Sequence, residues 1–290
     1  MEPTAIRLQA SWINDSEFVG YFAAMADGLY AAREIVVEHL PGRSGLVPEM
    51  SLVDGSADIA LSSPESVVAT MAQTGADLRI IGAQLQKSPL SLVSPAADPL
   101  ETLNDLTGRT IGVPHANRLL LQNLLERAGI EATVIVDYDH DVDQLPNGLI
   151  DGFIDFPVAA TYRYAKSGYA AHVTNLWNLG ATLPNNVVVV AASVLDTQGP
   201  ALRRWLEASR QGWKINSDDP DLLVDRLWAQ YFAPGLSLEQ ERHSNRYFLT
   251  MMGQPDAYMS LAPDAISKTN SVLHALYPNM APAIARMFCP

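Results

Sequence analysis

The sequence predicts an α/β protein of two lobes, and three observations carry that prediction. Short aliphatic runs alternate with amphipathic stretches from Ala5 to Ala191. That rhythm calls for parallel strands joined by crossover helices. The run Asn186 to Ala191 (NVVVVA) is nearly pure valine and reads as a strand buried on both faces. From Gly199 onward the pattern turns helical, with proline breaks and no complete core of its own.

Taken in order, Ala5 to Ala10 (AIRLQA) alternates apolar and polar residues as a strand does. Asn14 and Asp15 precede Glu17 to Tyr30, whose apolar positions recur at helical spacing, with Gly28 as the stop. Ile35 to Leu40 is a second strand. PGRSG forms a turn, and Leu46 to Val53 a second helix. Asp58 to Leu61 is a third strand, Ser62 to Pro64 opens the helix Glu65 to Gln73, and Leu78 to Gln84 is a fourth strand.

A second unit begins after Pro89. It reads as strand Thr110 to Val113, helix Asn117 to Ala128, and strand Thr133 to Tyr138. A helical turn at Leu145 to Asn147, strand Gly152 to Asp155, helix through Tyr162 to Ser167, and strand Ala171 to Leu176 follow. Helices at Pro200 to Asn216 and Asp221 to Tyr231 then pack back on the first lobe. The expected lobes are therefore 1–88 with 188–290, and 89–187. Two hinge crossings, near Gln84 to Leu92 and Pro184 to Val190, join them. Ligands of open parallel sheets bind at the carboxyl ends of strands, so a cleft between two such lobes is the expected site, closing by a hinge.

Composition excludes several classes. The chain has 290 residues, 48% hydrophobic and 18% charged, with a formal charge of −13. That balance argues against a nucleic-acid partner, which needs clustered Lys and Arg. The single cysteine, Cys289, permits no intrachain disulfide or cysteine metal cluster, and its place near the chain end argues against a catalytic thiol. No apolar run approaches the roughly 20 residues that span a bilayer. Met1 to Gln9 shows no signal-peptide pattern, so either the protein is cytoplasmic or its export signal is absent from this chain. No P-loop, dinucleotide fingerprint or nucleophile elbow appears, and no cofactor is expected.

The segment SWINDSEFVGYFAAMADGLYAAREIVVEHLPG resembles the first βαβ unit of ABC-transporter substrate-binding proteins of the thiamine-pyrimidine, sulfonate and nitrate (thiamine-biosynthesis-like) type. Trp12 follows strand one, Asn14-Asp15 forms the polar loop, and Gly28 with Tyr30 follows the helix. MSLVDGSADIALSSPESVVATMAQTGADLRIIGAQLQ, LNDLTGRTIGVPHANRLLLQNLLERAGI and GLIDGFID continue the likeness over roughly Ala5 to Asp225. The resemblance implies a type II periplasmic-binding-protein fold. It also implies a small-molecule ligand, a membrane permease of an ABC importer as partner, and a periplasmic or extracellular membrane-associated location. A monomer is expected.

Two enzymatic branches share that scaffold. A pyrimidine synthase carries Lys and His after strand three, where this chain has Ser62 and Ser66. A desulfinase carries Cys after strand one, where this chain has Ser11 to Ser16. A non-enzymatic binder is the expectation, with an enzyme on the same scaffold or a cytoplasmic ligand sensor as alternatives.

Trp12 is placed to stack on a flat ligand, and Phe18 and Tyr21 to extend an aromatic wall; each ring serves equally in a core. Asn14 and Asp15 suit helix capping or ligand contact. Ser44 at the mouth of helix two, beside Arg43, and Ser62 and Ser63 before helix three stand where helix N-termini take anions or carbonyls. In the second lobe His115 and Asn117, beside Arg118, open a helix, Asp155 ends a strand, and Tyr162 follows. Gln84 and Asn185 lie on the crossings. The run of Asp137, Asp139, Asp141 and Asp143 around His140 lacks the glycine and distal glutamate of a calcium loop and reads as a solvated acidic loop.

Overall fold

The computed structural model describes residues 3–288, so Cys289 lies outside the described residues. In chain order the strands and helices are β1 (Thr4–Gln9), α1 (Val19–Ala26), β2 (Ile35–Leu40), α2 (Met50–Val53), β3 (Ile59–Ser62), α3 (Pro64–Thr74) and β4 (Leu78–Leu85). Then come β5 (Ser91–Pro95), β6 (Thr110–Val113), α4 (His115–Ala128), β7 (Val134–Asp137), β8 (Gly152–Asp155), α5 (Val158–Ser167), β9 (Ala171–Asn175) and β10 (Asn185–Ala191). The helices α6 (Ala192–Asp218), α7 (Pro220–Tyr231), α8 (Leu238–Met251), α9 (Pro263–Leu276) and α10 (Ala281–Met287) complete the chain.

Internal packing divides the chain into two units. Unit one takes the described parts of Met1–Lys87, Pro184–Asn270 and Asn279–Pro290; unit two takes Ser88–Leu183 and Ser271–Pro278.

Unit one holds a five-stranded sheet in the order β2-β1-β3-β10-β4. β1 runs parallel to β2 and β3, while β10 is antiparallel to both β3 and β4. The register opposes Gln9 to Leu40, Val187 to Ser62 and Asn185 to Leu85. One edge of the sheet therefore gathers the carboxyl ends of β1, β2, β3 and β4 with the amino end of β10. Val187 to Val190 are fully buried, as a strand covered on both faces must be.

Behind the sheet, α1 meets α6 at close range. A Cβ on Gly212 would stand 2.1 Å from the Gly20 carbonyl oxygen. The Tyr21 ring stacks on Trp205, centroids 5.7 Å apart, and meets Trp213 edge-on.

Unit two holds the second sheet, in the order β7-β6-β8-β5-β9. β6 is parallel to β7 and β8, and β5 is antiparallel to β8 and β9. Its core joins Val93, Tyr138, Val142, Leu145, Ile150, Phe153, Ala160 and Tyr164. Ser91 opposes both Asp155 and Asn175, so the carboxyl ends of β6, β7, β8 and β9 share an edge.

Several elements differ from the sequence expectation for identifiable reasons. The first helix is shorter than Glu17 to Tyr30, because a 3-10 turn, Ser16–Phe18, precedes α1 and Gly28 takes φ +67. The second begins at Met50 rather than Leu46, since Pro48 biases Val47 away from helical backbone. β5 was expected only as a crossing: it is buried on both faces, so its sequence shows no alternation. Both sheets are mixed rather than wholly parallel, because β5 and β10 enter antiparallel. α6 starts eight residues before Pro200 and runs through it, tertiary packing overriding the usual cost of an internal proline. Ser271–Pro278 groups with unit two, where Leu273, Leu276 and Tyr277 are buried, rather than with the first-lobe tail.

Candidate functional site

The site builds from the carboxyl edge of the unit-one sheet. The loop after β1 is pressed onto the loop after β2: Gly42 donates its N–H to the Trp12 carbonyl at 2.7 Å. A Cβ on Gly42 would stand 2.6 Å from the backbone of Ser11 and Trp12, so only glycine allows this approach. The Gln9 amide reinforces it, donating to the Leu40 and Pro41 carbonyls at 3.2 and 3.3 Å. Trp12 is thereby held half-buried beside the strand ends.

Beside it runs a buried amide network. Gln84 donates through Nε2 to the Glu17 carbonyl at 2.7 Å. Asn186 donates through Nδ2 to Glu17 Oε1 at 2.7 Å and to Gln84 Oε1 at 3.4 Å. The Ser11 hydroxyl lies 3.2 Å from Asn186 Oδ1 and 3.4 Å from Glu17 Oε1. Asn185 Oδ1 accepts the Asn186 N–H at 2.7 Å. Asn186 holds φ +44 within a strand, the left-handed region that asparagine tolerates better than most residues. That backbone turns its amide into the network.

A second group lies at the end of β3. The Ser62 hydroxyl donates to Glu49 Oε1 at 2.5 Å. Ser63 caps α3 by accepting the Ser66 N–H. Burial raises the Glu49 carboxyl above its ordinary range, and burial with the nearby Glu49 charge pushes Glu65 up to about 7. Asp15 is likewise raised well above the carboxylate range, by burial first and then by Glu17 and Glu241.

In unit two, Asp155 Oδ2 pairs with His140 Nδ1 at 2.7 Å. The pair raises the imidazole above its ordinary value, and His140 takes φ +69. Arg118 pairs with Asp137 at 2.6 Å. His115 is exposed; Asn117 and Tyr162 are half-buried, with the Lys166 ammonium 4.7 Å over the Tyr162 ring.

The structure thus brings Gln84 and Asn185 together, and Ser62 with Ser63. Other expectations are corrected. Phe18 and Tyr21 are wholly buried, Tyr21 against Trp205 and Trp213 and Phe18 beside His39; their area goes to the unit-one core, not to a ligand wall. Ser44 sits with Arg43 in an exposed turn, five residues before Glu49 at the mouth of α2. Asp15, not Asn14, makes the cap, accepting the Glu17 N–H at 2.8 Å.

Residues missed in the sequence are Glu17, Glu49, Glu65, Asn186 and His140. Glu17 and Glu65 look like ordinary first-turn acids. His140 looks like part of a solvated loop until β6, between β7 and β8, sets their carboxyl ends on one edge of the sheet. Asn186 left the only usable signal, a second asparagine opening a valine strand. Among the described residues, no three His, Cys, Asp or Glu side chains converge as a metal-ligand set.

Two mixed α/β sheets in this topology, each with polar groups at its carboxyl edge, define the type II periplasmic-binding-protein fold. The chain belongs to the NMT1/THI5-like family, whose model matches residues 15–222. It is 24% identical over 233 residues to the riboflavin-binding protein RibY of Chloroflexus aurantiacus. That match covers 76% of this chain and 64% of RibY, so the chain spans just under two thirds of that curated relative. Among solved structures, it resembles the periplasmic aliphatic sulphonate-binding protein SsuA of Escherichia coli, with a TM-score of 0.75 at 16% identity, covering 99% of this chain and 92% of that one. It also resembles the periplasmic nitrate-binding protein NrtA of Synechocystis PCC 6803, with a TM-score of 0.69 at 14% identity, covering 99% and 86%.

Proposed function

We propose that this protein captures a small planar heterocycle and presents it, unaltered, to the permease of an ABC importer on the outer side of the membrane. The carrying observation is the buried Ser11–Glu17–Gln84–Asn186 network at the carboxyl edge of the unit-one sheet, with Trp12 beside it. Amides and carboxyls there suit a ligand with N–H and carbonyl groups, and the indole suits a flat ring. RibY, by its name a riboflavin binder, supports the same class of ligand. The Glu17 carboxyl within the network opposes a sulfonate or nitrate, because an acidic group there disfavours an anionic ligand.

Protein purified under native conditions, then denatured, is expected to release a heteroaromatic compound in near-stoichiometric amount by mass spectrometry. Release of a sulfonate, or steady conversion of the bound compound into a product, would overturn the reading.

A further inference from the structure

A groove of about 270 Å³ lies at the β4 side of the unit-one sheet. One face of α6 lines it with Leu195, Gly199, Arg203 and Leu206, and Ile81 of β4 and Ile266 of α9 complete the lining. The leucines and isoleucines are half-buried, and an aliphatic surface left open inside a groove is what a ligand covers. Ala191, just before α6, pairs with Leu78 at the start of β4. The lining turns of α6 therefore leave the sheet at the end opposite Gln84, and no lining residue belongs to the buried amide network.

Two features set the chemistry. Gly199 is buried in a helix interior and followed by Pro200, the two residues that helices favour least. Packing does not demand this glycine: a Cβ there would meet only Arg203 Nη1, at 3.8 Å, whereas one on Gly20 or Gly212 would clash. Its missing side chain leaves the groove open beside the guanidinium. Arg203 makes no hydrogen bond or ion pair among the described residues. Arg204 and Arg210 on the same helix donate to the Arg33 and Tyr258 carbonyls, and Asp264, two residues before Ile266, pairs with Lys268. The one guanidinium at the aliphatic groove is thus available to a planar anion such as a carboxylate. An aliphatic cavity of about 150 Å³ takes one benzene; this larger groove has room for one short alkyl chain, not for the paired chains of a phospholipid.

We propose that the groove is a second binding site, which takes a free medium-chain alkyl carboxylate. The chain lies on the leucine and isoleucine side chains, and the carboxylate pairs with Arg203. This site does not depend on the heterocycle reading.

The test is an NMR titration of the whole chain, labelled at isoleucine and leucine methyls, with octanoate, octanol and acetate as probes. Octanoate is expected to shift the Ile81, Leu195, Leu206 and Ile266 methyls and to bind at least fivefold more tightly than octanol; acetate should shift none. Affinity should rise about threefold per added methylene from hexanoate to octanoate. Arg203→Gln should weaken octanoate at least fivefold and leave octanol unchanged, while Arg203→Lys keeps most of the affinity. Gly199→Leu should abolish the shifts, and thermal melts verify that each variant folds. Equal binding of octanoate and octanol, unchanged octanoate affinity in Arg203→Gln, or octanoate shifts confined to methyls outside the groove would overturn the proposal. Binding to phosphatidylglycerol vesicles that Arg203→Gln abolishes, without any octanoate shift, would assign the groove to a membrane surface and overturn it as well.

Discussion

Asn186 and Glu17, 169 positions apart in the chain, are joined by a 2.7 Å hydrogen bond from the asparagine Nδ2 to the glutamate Oε1. The amide reaches the carboxyl only because Asn186 adopts φ +44 at the amino end of β10. Asn186→Ala should destabilise the protein by roughly 2–4 kcal/mol, combining a buried acceptor deprived of its donor with a left-handed backbone that alanine resists. Asn186→Gly keeps the backbone and loses only the amide, so it should be the milder variant by about 1 kcal/mol. Urea unfolding of both checks the order; equal losses would mean that the backbone contributes nothing.

Gly212 decides how closely α1 and α6 approach. An alanine there gains up to about 1 kcal/mol in helix propensity but sets a methyl 2.1 Å from the Gly20 carbonyl oxygen. Backbone cannot yield as a side-chain tip does, so overpacking wins. Gly212→Ala should lower the melting temperature by several degrees, and a neutral or stabilised variant would contradict the packing described.

His39 contributes a pH dependence of determined sign. Its ring lies against Phe18 and Phe22, both ring nitrogens are buried without partners, and burial lowers its pKa to about 4. The unfolded chain binds a proton near pH 6.5 while the folded one does not, so this residue's contribution is present above pH 6.5. It is lost as pH falls toward 4. Buried carboxyls such as Glu65 act oppositely in an overlapping range, so the difference between variants is the informative quantity. His39→Leu should be less destabilised than the wild type on going from pH 7 to pH 4.5, as read by denaturant midpoints at each pH.

Asp155 governs the titration of His140. The hydrogen bond between them is the largest influence raising the imidazole pKa. Asp155→Asn should therefore move the His140 titration to lower pH, followed by NMR of the imidazole protons; an unmoved titration would show that the pair does not form in solution.

Trp12 is the indole nearest the network on the chain. Trp12→Ala should weaken an aromatic ligand at least tenfold, about 1.4 kcal/mol, with little effect on stability because the ring is only half-buried. Unchanged affinity would remove Trp12 from the site.

The sequence by itself determined the two-unit α/β character. β2, β6 and β8 are written as dense apolar strands, and NVVVVA announced a strand covered on both faces. Ser62, Ser63, Gln84 and Asn185 were legible as polar residues beside strand ends, because strand ends follow from local pattern. The tertiary structure alone decided which of them meet what. Glu17 needs Asn186 and Asp155 needs His140, each pair assembled by strand order rather than by neighbours in the chain. Burial, too, is a property of the assembled layers. Phe18 and Tyr21 carry the same helical signal whether they face a ligand or a core, and only the packing of α6 across α1 assigned Tyr21 to the core.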